Sequence, residues 1–183
     1  MGHATSIDMQ ATSVPVFGTS YAETICAARG WSVAEVFKSQ FRIIPTGAGS
    51  PSGWNTCRIK DWTLQHCPSL IRTELRSGTG AVMGWVLGVA ITPQGQVLED
   101  QFDFETDPSV AEVEVFISGL AGRFITVLIM GSEQRLYFDP AAGMTAVFNP
   151  RTRCAGSSVP LVIDDEIQPN PDIAPEAFQV GRD

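Results

Sequence analysis

The sequence predicts an α+β fold, and three patterns carry that expectation. Short runs of β-branched and aromatic residues recur between turn residues, as strands do. The segment 110–120 places Val110, Val113, Phe116, Ile117 and Leu120 on one helical stripe. The segment 124–130, Phe-Ile-Thr-Val-Leu-Ile-Met, is apolar on both sides of a pleat, so it predicts an interior strand covered on both faces. With 183 residues, 44% of them hydrophobic, the chain is long enough for a single domain with a proper core. Its 17% charged residues fall below the roughly 25% of an average globular protein, the opposite of a disordered chain.

Taken in order, residues 1–19 read as a loose Ser/Thr-rich entry and 20–162 as one globular domain. Ser20-Tyr21-Ala22-Glu23 fits a capping box, and a short helix over 21–29 then ends at Gly30. Ser32-Val33-Ala34-Glu35 repeats the pattern, while Val36-Phe37 and 41–44 also suit a strand, so this stretch stays open. Three glycines and a proline make 46–54 a loop. Strands are expected at 57–66, 81–91, 135–139, 144–149 and 153–157. Pro93-Gln94-Gly95 suits a type II turn, and 140–143 and 149–151 are expected to close two hairpins. For the helix before the interior strand, Thr106 or Asp107 is the expected cap, Pro108 suits its first turn, and Gly119 and Gly122 stop it. Residues 163–183 form an acidic, proline-rich tail or linker.

Charge narrows the function classes. Residues 1–98 carry 7 basic and 5 acidic side chains; residues 99–183 carry 5 and 15, for a net charge of −8. The only lysines are Lys38 and Lys60, and the arginines are scattered. Nucleic acid and anionic membranes need a basic stripe to displace counterions, so neither is an expected partner. The first 17 residues lack the basic start and apolar stretch of a secretion signal, and the longest apolar run, 81–91, is about half a bilayer span. A soluble, cytoplasmic protein is expected. Cys26, Cys57, Cys67 and Cys154 have no zinc-site spacing and read as reduced thiols, with a disulfide as the lesser alternative. No metal or cofactor is expected.

Other constellations are thin. Gly78-Thr79-Gly80 and Gly47-Ala48-Gly49-Ser50 lack the phosphate-loop and dinucleotide patterns and read as turns. The only histidines are His3 and His66; His66 stands beside Cys67, and with Cys57 this set is the one candidate for a nucleophilic centre. Glu99, Asp100, Asp103, Glu105 and Asp107 crowd one stretch without EF-hand spacing, and read as a solvated acidic edge. Trp31, Trp54, Trp62 and Trp85 read as core anchors, although Trp85 lies beside the expected pocket strand.

The order of motifs over residues 80–162 carries a resemblance. Phe104-Glu105-Thr106-Asp107 precedes the helix, then come Leu120-Ala121-Gly122-Arg123-Phe124, the strand-turn-strand from Arg135 through Asp139 and Gly143 to Phe148, and Gly156-Ser157-Ser158. This succession resembles the glutamine-hydrolysing N-terminal domain of asparagine synthetases. The resemblance implies an Ntn-hydrolase-like sandwich of two antiparallel sheets flanked by helices, in full or reduced form. Active members of that class II amidotransferase family release ammonia from glutamine with an N-terminal cysteine, whose own α-amine, titrating near ~8, is the base. Here Met1-Gly2-His3 stands where Met-Cys-Gly is expected. The family's oxyanion-binding Asn-Gly pair falls at Leu87-Gly88, leaving Gly88 an N–H to offer and Leu87 nothing; one such donor is worth about 10²–10³ in rate. The Asp that holds the glutamine ammonium matches Asp107, which is equally a helix-cap candidate. The ATP-pyrophosphatase loop of the family's next domain, Ser-Gly-Gly-x-Asp-Ser, does not occur.

The resulting expectation is a catalytically degenerate amidotransferase-like domain, a binding or scaffolding module beside an asparagine synthetase-like or other biosynthetic enzyme. It has no expected catalytic residues. Its expected ligand residues are Trp85, Gly88, Asp107 and Gly122, its expected ligand is amino-acid-like, and a protein partner or a second copy is the expected company. The alternatives are a small enzyme of another class built on His66, Cys67 and Cys57, and a self-associating structural protein.

Overall fold

Ser20 begins the described architecture as the sequence predicts: its hydroxyl accepts the Glu23 N–H while the Glu23 carboxylate returns to the Ser20 backbone, starting α1 (Tyr21–Arg29). Gly30, left-handed at φ 66°, ends it. The computed structural model describes residues 17–46 and 49–168. The expected entry segment therefore lies outside the described residues up to position 16, and the tail lies outside them from position 169.

A four-residue helix, α2 (Val33–Val36), follows, and then β1 (Phe41–Pro45). The single strand expected over 57–66 is instead a hairpin, β2 (Asn55–Ile59) and β3 (Trp62–His66). Lys60 turns the chain with a φ of 52°, a conformation no composition rule flags at a lysine. Next come β4 (Arg72–Arg76), β5 (Val82–Ile91) and β6 (Gln101–Asp103); β4 and β6 were not expected. Between β5 and β6, Gly95 N–H donates to Thr92 O at 2.9 Å and Thr92 N–H to Gln96 O at 2.8 Å. The positive φ belongs to Gly95 and not to Gln94, so the turn is type I with a following left-handed glycine rather than type II.

The helix α3 (Val110–Gly119) is capped by Ser109, which forms a second capping box with Glu112. Neither Thr106 nor Asp107 is its cap; Ser109 lies three residues before a glutamate, the spacing that reciprocal capping needs. Then follow β7 (Ala121–Met130), β8 (Glu133–Phe138), β9 (Val147–Asn149), β10 (Cys154–Gly156) and α4 (Val159–Val162). The 140–143 turn closes no hairpin. It carries the chain from β8 in one sheet to β9 in the other.

The strands form two five-stranded sheets, β2-β3-β1-β10-β9 and β6-β4-β5-β7-β8, antiparallel throughout except for the β4–β6 pair. Alternation divides the central strands between two cores. Phe41, Ile43, Trp62 and Leu64 of the first sheet meet Trp85, Leu87, Ile125 and Val127 of the second between the sheets. On the far side of the second sheet, Val86, Phe124 and Leu128 pack with Val113 and Ile117 of α3. On the far side of the first sheet, Ile44 and Cys154 pack with Ala22 and Cys26 of α1 and Leu161 of α4. The order of layers is helix, sheet, sheet, helix: an α+β fold whose β7 is buried on both faces, as its apolar run predicts.

Candidate functional site

The two sheets part along one side. There β2 and the end of β3 face the start of β4 and the segment 97–100, and the gap opens as a groove of about 740 Å³, within the range of small-molecule sites. A second void between the sheets, walled by Ile43, Trp62, Val127 and Ile129, is about 20 Å³, room for roughly one water. Of these two spaces only the groove has room for a small molecule.

Strand alternation decides which side chains reach it. In β3, Trp62 and Leu64 point between the sheets while Gln65 bonds Arg42 on the opposite face. His66 therefore points to the groove, and Cys67, one residue on, turns to the helical side, where its thiol meets Ala34 O and Ser69 Oγ. The expected His66–Cys67 pairing is thus separated by the sheet itself. Cys57 stays with His66, because it opposes Leu64 on β2 and shares that face.

The chemistry of the groove is set by burial and by Arg72. His66 is 4% exposed, and its Nδ1 lies 3.1 Å from Cys67 O. That acceptor demands a proton on Nδ1 and leaves Nε2 a lone pair. Burial, aided by nearby Arg72 and only partly opposed by the Cys67 carbonyl bond, lowers the ring's pKa and keeps it neutral. Burial likewise pushes the Cys57 thiol up; Arg72 opposes this and Glu74 adds to it. Arg72 itself is tied to Glu74 at 2.6 Å, and Arg76 shares the same carboxylate. On the opposite rim Thr73 Oγ1 donates to Glu99 O, and Glu74 N–H donates to Asp100 O at 2.9 Å, which fixes the backbone under both acidic side chains. A neutral thiol beside a neutral imidazole is not an activated nucleophile.

The four expected ligand residues do not converge. Trp85 is fully buried between the sheets, with an indole N–H that has no partner among the described residues. Gly88, at φ 105°, donates its N–H to Ile71 O at 2.9 Å, so that donor is already engaged. Gly122 pairs with Ala90 on the neighbouring strand, near the same end of β5. Asp107 is at the other end, accepting the N–H and the hydroxyl of Thr79, both at 3.1 Å. The length of β5 separates it from Gly122 by roughly 30 Å. None of the four lines the groove; Gly88 only bonds the backbone of Ile71, which does.

None of the family models, curated proteins or solved structures compared with the chain matches it.

Two sets the sequence had flagged separately, His66 with Cys57 and the acidic pair Glu99 and Asp100, meet across this groove. Arg72 was missed. Its signal was the alternation Arg72-Thr73-Glu74-Leu75-Arg76, charged on one face of β4 and buried on the other. Among the described residues, no group of three or more His, Cys, Asp and Glu side chains is placed to hold a metal ion, and no helix is long and apolar enough to cross a membrane.

Proposed function

We propose that the chain is an amidotransferase-like domain that binds instead of hydrolysing, a recognition or scaffolding module for an amino-acid-like molecule beside a biosynthetic enzyme. The observation that carries this is the Gly88–Ile71 hydrogen bond. An oxyanion hole needs free donors aimed at the developing charge; here the Gly88 N–H is taken and the Leu87 side chain is hydrocarbon packed between the sheets. The helix-sheet-sheet-helix layering is the architecture that the asparagine synthetase resemblance implies, and it supports the same reading. A reducing, cytoplasmic setting accompanies it, since Cys26, Cys57, Cys67 and Cys154 are all free thiols. The open mouth between the sheets is where such a module would take its ligand.

The test pairs two measurements on the full chain. Incubation with L-glutamine is expected to release no ammonia above the protein-free rate, and calorimetric titration with small amino acids and amines is expected to give saturable binding. Ammonia release that disappears in Cys57→Ser would overturn the non-catalytic reading in favour of a thiol enzyme. Absence of any saturable ligand would remove the binding role.

A further inference from the structure

Four strands pair on one side only among the described residues: β2 and β9 end the first sheet, β6 and β8 the second. Such an edge is a template for another strand, and folded chains blunt it with brevity, charge or proline. Three of the four are blunted. β6 has three residues, with Asp103 exposed at its end. β9 has three and runs into Pro150. β2 presents exposed Asn55, Thr56 and Arg58. β8 differs: Glu133–Phe138 is six residues long, holds no lysine or proline, and ends on Phe138, which is 41% exposed. Its register with β7 is regular throughout, so no bulge twists the edge away. Its two charges, Glu133 and Arg135, pair with each other at 2.9 Å, which leaves the strand neutral on a chain of net charge −8.

The backbone decides which residues offer bonds outward. Asp139 N–H donates to Phe124 O at 3.1 Å, toward β7. Alternation along an antiparallel strand puts the N–H and C=O of Tyr137, Arg135 and Glu133 on that same side. Those of Gln134, Leu136 and Phe138 face outward, and among the described residues no backbone group bonds them. These three are spaced symmetrically about Leu136. We propose that a second copy of this chain pairs here, β8 with β8, antiparallel about a two-fold axis at Leu136. In that register Leu136 exchanges both bonds with the partner's Leu136, and Gln134 with the partner's Phe138, so every outward group is used. A slip of the register sets Phe138 against Ser132 of the turn in one direction. In the other it sets Gln134 against Pro140, which has no N–H. On the helical side the pairing brings Arg135 beside the partner's Tyr137, a cation beside an aromatic ring. β8 lies at the far edge of the sandwich from β2 and β4, so the groove stays open in both copies. The pairing is independent of what the groove binds.

Sedimentation equilibrium of the full chain over a hundredfold range of concentration tests it. A reversible monomer–dimer equilibrium is expected. One edge pairing is small for a permanent interface, so Kd should fall in the micromolar range. Two acidic copies repel, so raising salt should tighten the dimer. Phe138→Lys puts a blunting charge on an exposed position and should raise Kd at least tenfold, with circular dichroism checking the fold. Hydrogen exchange on the unaltered chain locates the contact without a mutation: the amides of Gln134, Leu136 and Phe138 should gain protection as concentration rises through Kd. A chain that stays monomeric at every concentration overturns the proposal. So does a dimer whose new protection falls on β2, β6 or α3, or whose Kd ignores a folded Phe138→Lys variant. Oligomers growing beyond the dimer would mean a head-to-tail contact and would overturn the closed two-fold.

Discussion

The Arg42 guanidinium meets the Glu23 carboxylate at 2.8 Å beneath α1, with the arginine side chain fully buried. Arg42 also donates to Gln65 Oε1 at 2.7 Å and to Gly49 O at 3.1 Å, so one buried side chain joins α1, β3 and the glycine-rich loop. Glu23 simultaneously receives the Ser20 backbone N–H and hydroxyl. Glu23→Ala should cost about 3–5 kcal/mol, because it strands a buried charge and removes the capping acceptor together. Combining it with Arg42→Leu should cost less than the sum of the two single changes. Urea unfolding of the three variants measures the difference; strict additivity would contradict the coupling.

Asp139 sets the acid limit. The residue is 3% exposed, and its carboxylate accepts the N–H groups of Phe124, Ala141 and Gly143 at 2.9–3.2 Å, holding the turn that carries the chain between sheets. Burial works against the charged form, but these N–H groups outweigh it and hold the carboxyl below the usual range. A depressed folded pKa gives stability that is present above the unfolded value of about 3.9 and is lost as pH falls through the folded value. Thermal unfolding should therefore show Tm dropping below about pH 4, and Asp139→Asn should flatten that drop while costing about 1–3 kcal/mol at neutral pH.

The thiols should rank by access. Cys57 is half-buried in the groove, whereas Cys26, Cys67 and Cys154 are buried. Burial pushes the Cys154 thiol up to about 11, despite opposition from the Thr152 bond and Arg42. With native protein at pH 7, iodoacetamide should label Cys57 first and more slowly than free cysteine, and reach Cys26 and Cys154 only on unfolding. Peptide mapping reads the order. Burial raises the Cys67 thiol, but the bonds from Ser69 and Ser39, with Lys38, hold it below its usual value, so labelling of Cys67 ahead of Cys57 would mean that acidity outranks access.

Gly122 and Gly95 offer a controlled comparison. Both have a positive φ, 122° and 81°, but a Cβ on Gly122 would meet Val89 O at 2.3 Å, whereas Gly95 has open space around it. Gly95→Ala should cost about 1 kcal/mol of backbone strain. Gly122→Ala must also push β5 from β7 and should cost at least about 2 kcal/mol. Equal losses in Tm would mean that the strands are not held so closely.

Several elements were legible because their signals are local. The capping box Ser20–Glu23, the stop at Gly30, the stripe of α3 and the doubly apolar β7 all follow from residues within a few positions of one another. The misses have a physical cause too. Asp107 and Ser109 are both acceptable caps, and only the reciprocal bond to Glu112 selects Ser109. The Lys60 turn needs a positive φ that a hairpin imposes from outside, and the 140–143 turn was misread because hairpin and crossover turns share a composition. At the candidate site the sequence presented His66, Cys57, Glu99 and Asp100, but it joined His66 to its chain neighbour Cys67 and the acidic pair to Asp107.

By itself the sequence determined the composition of the parts: an acidic chain with enough hydrocarbon for one core, strands in excess, capped helices, four cysteines without zinc-site spacing, and no basic stripe. Those properties belong to single residues or to spacings of two to four, which a chain carries whatever it packs against. Only the tertiary structure decided which side chains share a space. Alternation across β3 put His66 and Cys67 on opposite faces, the ten residues of β5 carried Asp107 away from Gly122, and the parting of the sheets brought residues 57, 66, 72 and 99 to one groove. Proximity between distant residues depends on sheet order and register, and these are set by how the two apolar faces of each sheet are buried rather than by any one segment.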